Sequence, residues 1–173
     1  MQKYGGTSLA TAEQREKVEA KITEAIGLGY KVVVVVSAIG RRGAPYATDT
    51  LIGLSQEVFP YIHSRELDIM MSCGELISSV ILVQSLKAEG IEAQAFTGGQ
   101  AGIITNSNFG DARIIEVKPE KLMSCVKENK VAVVAGFQGI TKDGEITTLG
   151  RGGSDTTAAA LGVALRAEMV EIY

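Results

Sequence analysis

The run Lys31 to Ala38, KVVVVVSA, constrains this chain more than any other stretch. A strand with one wet face alternates apolar and polar side chains, whereas successive valines leave no polar face. That pattern belongs to a strand buried on both sides, as in a parallel sheet with helices over each face. Val131 to Ala135, VAVVA, repeats it. Parallel neighbours cannot be joined by a tight hairpin and need a crossover, usually a helix. The segments around the two valine runs therefore have to supply helices.

Several segments carry helical spacing. Thr11 and Gln14 fit a capping box, Val18, Ile22 and Ile26 fall on one face, and Gly27 and Gly29 end the helix. Thr48-Asp49-Thr50-Leu51 opens a second helix, closed by Pro60, and Ser64 to Met71 reads as a third. Ser72-Cys73-Gly74-Glu75 has capping-box spacing and introduces a separate apolar helix, Leu76 to Leu86, stopped by Gly90. Pro119 opens another, with Leu122, Met123 and Val126 as its buried stripe. Ile91 to Phe96 reads as a strand. Ile103-Ile104 and Ile114 to Val117 read as short strands around the polar loop Asn106 to Arg113. Asp143-Gly144 between Ile140 and Ile146 signals a hairpin. Met169 to Tyr173 begins a last strand, while Met1 to Tyr4 is too short to make a convincing one. Strands alternating with helices indicate an α/β domain with a largely parallel sheet.

The 173 residues suit about one domain, and a hydrophobic content of 46% is enough for a real core. A formal charge of −3 argues against a general nucleic-acid surface. The concentrated basic pair Arg41-Arg42 reads as part of a solvated loop. Val32 to Val36 is too short to span a bilayer, and no signal peptide opens the chain. Cys73 and Cys125 lack metal-type spacing and read as reduced thiols, so the expected compartment is the cytoplasm. His63, the single histidine, reads as a surface residue. No metal site is expected from the protein's own side chains.

Chemistry concentrates at Leu149-Gly150-Arg151-Gly152-Gly153-Ser154-Asp155-Thr156-Thr157. Its glycines keep the backbone bare, so peptide N–H groups can approach an anion. Ser154 and Asp155 stand where a helix N-cap and first turn belong, and the helix dipole adds positive character. Arg151 adds a guanidinium fork suited to a carboxylate or phosphate. Two further glycine turns, at Gly5-Gly6 and Gly98-Gly99, also follow strands, where ligands of open α/β sheets bind. Lys3 beside the first turn and Arg151 would make a cationic cleft. Glu75 either closes its capping box or offers a carboxylate to an ammonium. In the second case Glu75 and Arg151 would together grip an amino acid, with the hydroxyls of Thr48 and Ser154 completing the shell.

Lys3-Tyr4-Gly5-Gly6-Thr7-Ser8, Val33 to Ala38, Thr48-Asp49, Cys73-Gly74-Glu75, Gly136-Phe137 and Gly150 to Asp155 resemble, in order, the signatures of the aspartate kinases of the amino-acid kinase superfamily. Ser37 to Gly40 and Phe96 to Gly102 resemble the monofunctional bacterial enzymes. The resemblance implies a three-layer α/β sandwich, a mostly parallel sheet flanked by helices, incomplete at both ends. Residues 1–173 would then be the N-terminal part of the catalytic domain. It implies transfer of a phosphoryl group from ATP, with Mg²⁺, to the side-chain carboxylate of L-aspartate, the first step towards lysine, threonine and methionine. Lys3 and Asp155 would be catalytic, Asp155 orienting Lys3. Lys3, Tyr4, Gly5, Gly6 and Ser37 would serve ATP. Thr48, Glu75, Arg151, Gly152, Gly153 and Ser154 would hold aspartate, with Phe137 as a wall.

The resemblance also implies more chain than is present. Family members continue past Tyr173 into a loop for adenine and ribose, then into two regulatory ACT domains that support a homodimer. The expectation is that these residues alone have little or no kinase activity. Two other readings compete. One is a glutamate, acetylglutamate or uridylate kinase of the same fold; the other is a non-catalytic module that binds an amino acid.

Overall fold

The valine run is a strand with every residue buried, as its composition requires. The computed structural model describes residues 1–173. Its strands are β1 (Gln2–Tyr4), β2 (Val33–Val36), β3 (Ala93–Phe96), β4 (Ile103–Thr105), β5 (Ile114–Val117), β6 (Val131–Ala135), β7 (Gln138–Ile140), β8 (Ile146–Thr148) and β9 (Glu171–Ile172). The helices are α1 (Ala12–Gly27), α2 (Thr48–Val58), α3 (Ser64–Ala88), α4 (Glu120–Lys127) and α5 (Gly153–Ala164), with a 3-10 turn at Gly6–Leu9.

Five parallel strands form the main sheet in the order β3-β6-β2-β1-β9. Strand periodicity divides the valines between two cores. Val34, Val36, Val131 and Val133 pack with Val18 and Ile22 of α1 and Leu82 and Leu86 of α3. Val33, Val35, Ala132 and Val134 pack on the other face with Leu122 and Cys125 of α4 and Ala158 and Leu161 of α5. The result is the expected three-layer α/β sandwich.

A second sheet, in the order β5-β4-β7-β8, is mixed. Its β7–β8 pair is the hairpin signalled by Asp143-Gly144, with Gly144 at φ +88° where a side chain would be strained. β8 packs along α3 and carries the chain to α5.

Four local expectations need correction. Gln2–Tyr4 does form a strand and lies inside the sheet, paired with both β2 and β9; partners rather than length stabilise it. The Ser72-to-Glu75 segment does not start a helix, because α3 runs unbroken for 25 residues. Ser72 Oγ donates back to the Ile69 carbonyl at 2.7 Å, a mid-helix habit of serine rather than a cap. On α4 the buried pair is Leu122 and Cys125, and Met123 is exposed. Finally, α5 is capped by Gly152 in the left-handed region, φ +74°, and Ser154 stands within its first turn.

α3 has the length and apolarity of a membrane-crossing helix. Its buried face, however, includes Asp68, Glu75, Ser72, Ser78 and Ser79, and it packs against both sheets. It is the core helix of the domain.

Candidate active site

The carboxyl ends of β1, β2 and β6 open into one cleft of about 560 Å³. Its walls include Gly6, Ser37, Thr48, Glu75, Phe137 and Arg151 to Ser154, residues spread over most of the sequence. Six sequence-predicted aspartate ligands, Thr48, Glu75, Arg151, Gly152, Gly153 and Ser154, all line it.

Close packing forms the floor. A Cβ on Gly6 would fall 2.1 Å from the Ala38 carbonyl oxygen, so the turn after β1 can lie against the β2–α2 loop only as glycine. Gly6 in turn accepts a hydrogen bond from Gly40 N–H at 2.9 Å. Ser37 at the end of β2 meets Ser154 of α5, hydroxyl to hydroxyl at 2.8 Å. Gly136 permits that approach, because a Cβ there would lie 2.8 Å from Ser154 Cβ. Phe137 next to it holds φ at +67°, strained for an aromatic residue. Its N–H donates to Thr157 Oγ1 at 3.1 Å, and its ring packs on Gly153. Strain of this kind clusters at ligand sites.

Glu75 carries the site's main electrostatic feature. The side chain is 3% exposed. Oε1 accepts the Ala38 N–H at 3.1 Å, while Oε2 is buried with no hydrogen-bond partner. Burial pushes its carboxyl up to about 7, opposed by the bond from Ala38 N–H. The side chain lines the cleft, and because α3 runs unbroken through Glu75 the capping-box reading fails. An orphaned buried acceptor facing a cleft is suited to a cationic ligand group.

Arg151 is exposed at the opposite chemical extreme, a free guanidinium fork on the turn before α5. The N–H groups of Arg151, Gly152 and Ser154 make no backbone hydrogen bond, so the turn offers donors as well as charge. Lys3 and Asp155 stand behind this wall. Lys3 projects from β1 towards α5, nearly buried, with Nζ 2.7 Å from Asp155 Oδ1. The two side chains form an ion pair at the edge of the cleft wall.

The remaining nucleotide candidates divide. Gly5 and Gly6 form the turn beside Lys3, and a Cβ at Gly5 would lie 4.0 Å from Lys3 Nζ. Tyr4 points the other way. Strand alternation turns its ring into the α1–α3 core, where it stacks on Tyr173 at 5.1 Å and donates from its hydroxyl to Gln2 Oε1. Only its backbone borders the site, accepting Ser37 N–H at 3.1 Å.

Sequence reasoning missed several wall residues: Arg41, Arg42, Asp49, Ile52, Met71 and Gly110. Arg41-Arg42 was visible as a basic pair, but only the bend at Gly40, φ +85°, brings that loop to the cleft. Ile52, Met71 and Gly110 had no chemical signal. No group of three or more His, Cys, Asp or Glu side chains is placed to hold a metal ion.

Comparison with known proteins places the fold in a family. Aspartokinase 1 of Bacillus subtilis is 53% identical over all 173 residues, which cover 43% of its length. The crystal structure of aspartate kinase from Synechocystis superposes with a TM-score of 0.80 at 42% identity, over 99% of this chain and 27% of that one. E. coli aspartokinase III, in complex with aspartate and ADP, gives 0.79 at 25% identity over 99% of this chain and 48% of that one. The chain thus spans less than half the length of these relatives. Residues 2–173 match the description of the Amino acid kinase family, and the chain belongs to that family.

Proposed function

We propose that this chain is the acceptor-binding part of an aspartokinase, which transfers the γ-phosphoryl group of ATP to the side-chain carboxylate of L-aspartate. The observation that carries the reading is the buried, half-unsatisfied carboxylate of Glu75 in the same cleft as Arg151. A zwitterion with a second carboxylate answers both. Its ammonium pairs with Glu75 Oε2, and Arg151 with the free N–H groups of its turn takes a carboxylate. The hydroxyls of Thr48 and Ser154 complete the shell. The names of the relatives, and the aspartate and ADP bound in one of them, support the same substrate pair.

The reacting carboxylate has an ordinary pKa of about 3.9 and is already ionised near neutrality. No general base is needed. One oxygen of that carboxylate attacks the γ-phosphorus while the bond to the bridging oxygen of ADP breaks, giving an acyl phosphate and ADP. The protein's task is orientation and charge neutralisation. Lys3 supplies positive charge where the transferring group gathers negative charge, and Asp155, 2.7 Å away, keeps that ammonium aimed. Gly5 and Gly6 let backbone approach the phosphates. Mg²⁺ bound to the phosphates of ATP would screen their charge. The free thiols Cys73 and Cys125 support a reducing compartment, the cytoplasm.

Isothermal calorimetry of the chain with L-aspartate, with L-glutamate and uridine monophosphate as controls, tests the reading. Binding selective for aspartate is expected. Equal or tighter binding of glutamate or the nucleotide would overturn it. Trapping the acyl phosphate with hydroxylamine then tests turnover, which is expected to be far below that of a full-length relative.

A further inference from the structure

Asp68 is 0% exposed, the most deeply buried ionisable side chain in the molecule, and none of the chemistry above uses it. It stands on α3 seven residues before Glu75, two helical turns away on the same face. Every partner is a neutral donor. Oδ1 accepts from Thr148 Oγ1 at 2.7 Å and from Gly110 N–H at 3.0 Å. Oδ2 accepts from Thr148 N–H at 2.9 Å and shares the Gly110 N–H at 3.0 Å. A buried carboxyl held by donors of this kind resists removal, because those donors would be left unpaired.

What those donors belong to gives the residue its meaning. Gly110 lies on the loop between β4 and β5 and is part of the cleft wall. Thr148 ends β8, immediately before the turn that presents Arg151. The two loops also hold each other. Ala112 N–H donates to the Thr148 carbonyl at 2.8 Å, and Gly150, at φ +73°, sits so close to Asp111 that a Cβ would fall 2.5 Å from its Oδ1. One carboxylate on the core helix thus ties together the segments on either side of the Arg151 turn.

We propose that Asp68 is a positioning residue of the acceptor site: it clamps the β4–β5 loop to the end of β8 and so fixes where Arg151 and its free N–H groups stand. It does not touch substrate. The inference rests on the reading of the cleft as an aspartate site, but the clamp can be measured without any ligand.

The test uses Asp68→Asn, which keeps one acceptor oxygen and turns an amide N–H₂ against the facing donors. Thr148→Val removes a single donor and carries the same test should the first variant fold poorly. Amide hydrogen exchange by NMR, in the ligand-free chain, is expected to quicken tenfold or more in Asp68→Asn at Gly110, Ala112 and Gly153, the hydrogen-bonded amides of these loops. Exchange in β2 and β6 should stay unchanged, which a general loss of stability would not allow. Calorimetry is expected to show aspartate affinity weakened at least tenfold, with Thr148→Val moving both readouts in the same direction by less. Exchange that quickens no more at these loops than in β2 overturns the clamp. So does a loosened clamp with unchanged aspartate affinity. Should the unaltered chain bind no aspartate, the cleft reading falls, and the exchange measurement still decides whether the clamp exists.

Discussion

At the scale of single residues, Glu75 sets a conflict between stability and binding. Its carboxyl is raised from 4.5 to about 7 by burial. Below pH 4.5 it is protonated in both folded and unfolded chains and has no effect. Between 4.5 and 7 the unfolded chain ionises first and binds fewer protons, so stability falls as pH rises and levels off above 7. The full effect is of order 3 kcal/mol. Glu75→Gln keeps an oxygen for Ala38 N–H and removes the charge. Thermal melts at pH 8 should show this variant more stable than the unaltered chain, with no difference at pH 4. Aspartate affinity should fall about a hundredfold, since one partner of a buried charge pair is lost. A variant that is less stable at pH 8 yet binds normally would contradict both halves. Arg151→Lys keeps the charge but loses the planar fork. Calorimetry should show affinity reduced by roughly tenfold, the worth of about one charge-assisted hydrogen bond.

Elements explain why parts of this fold were legible and others were not. β2 and β6 announce themselves because a strand buried on both faces permits hardly any polar residue. The β7–β8 hairpin is legible because its turn needs a residue at positive φ, which Gly144 supplies. The continuity of α3 is hidden, since Ser72, Gly74 and Glu75 each carry a local signal for a helix start. What overrides that signal is tertiary. Gly74 lets the helix pass the β2–α2 loop, where a Cβ would lie 2.8 Å from Ala38 Cβ and 3.0 Å from the Tyr46 carbonyl oxygen. That passage delivers Glu75 to Ala38 N–H. In a free helix Gly→Ala gains about 1 kcal/mol; here neither neighbour is a flexible chain end. Gly74→Ala is therefore expected to lower stability by about 1–3 kcal/mol, the usual cost of overpacking. It should also weaken aspartate binding by displacing Glu75. A rise in the melting temperature would show that propensity, not packing, governs the site. Leu82→Ala, on the same helix and fully buried, separates the two effects. It should cost about 2–5 kcal/mol and leave aspartate affinity unchanged when measured well below the melting temperature.

For the whole molecule, the cleft proposed as the acceptor site is a meeting of segments that are distant in sequence, and that is why its charged, hydroxyl and glycine-rich members could be picked out beforehand while other wall residues could not. Lys3, Glu75, Arg151 and Asp155 stand in motifs that carry the family resemblance; Asp68, Gly110 and Met71 come to the cleft or its supports through where the chain folds, which local sequence does not encode. A ligand that bridges such segments stabilises the native state as a unit, by about 2.7 kcal/mol at a hundred times its dissociation constant. For a domain of this size that corresponds to roughly 5–10 °C in melting temperature. On the proposed reading, binding requires ionised Glu75, whose carboxyl burial raises to about 7. The shift produced by a fixed concentration of aspartate should therefore grow from pH 6 to pH 8, while the unliganded protein grows slightly less stable over the same range. The opposite trends distinguish a charge-paired ammonium from a general salt effect, which would move both curves together. In Glu75→Gln the pH dependence of the shift should vanish along with most of its size. If the variant kept the full pH-dependent shift, the ammonium would have to be held by another group, and Asp49 on the cleft wall would be the acid to examine next.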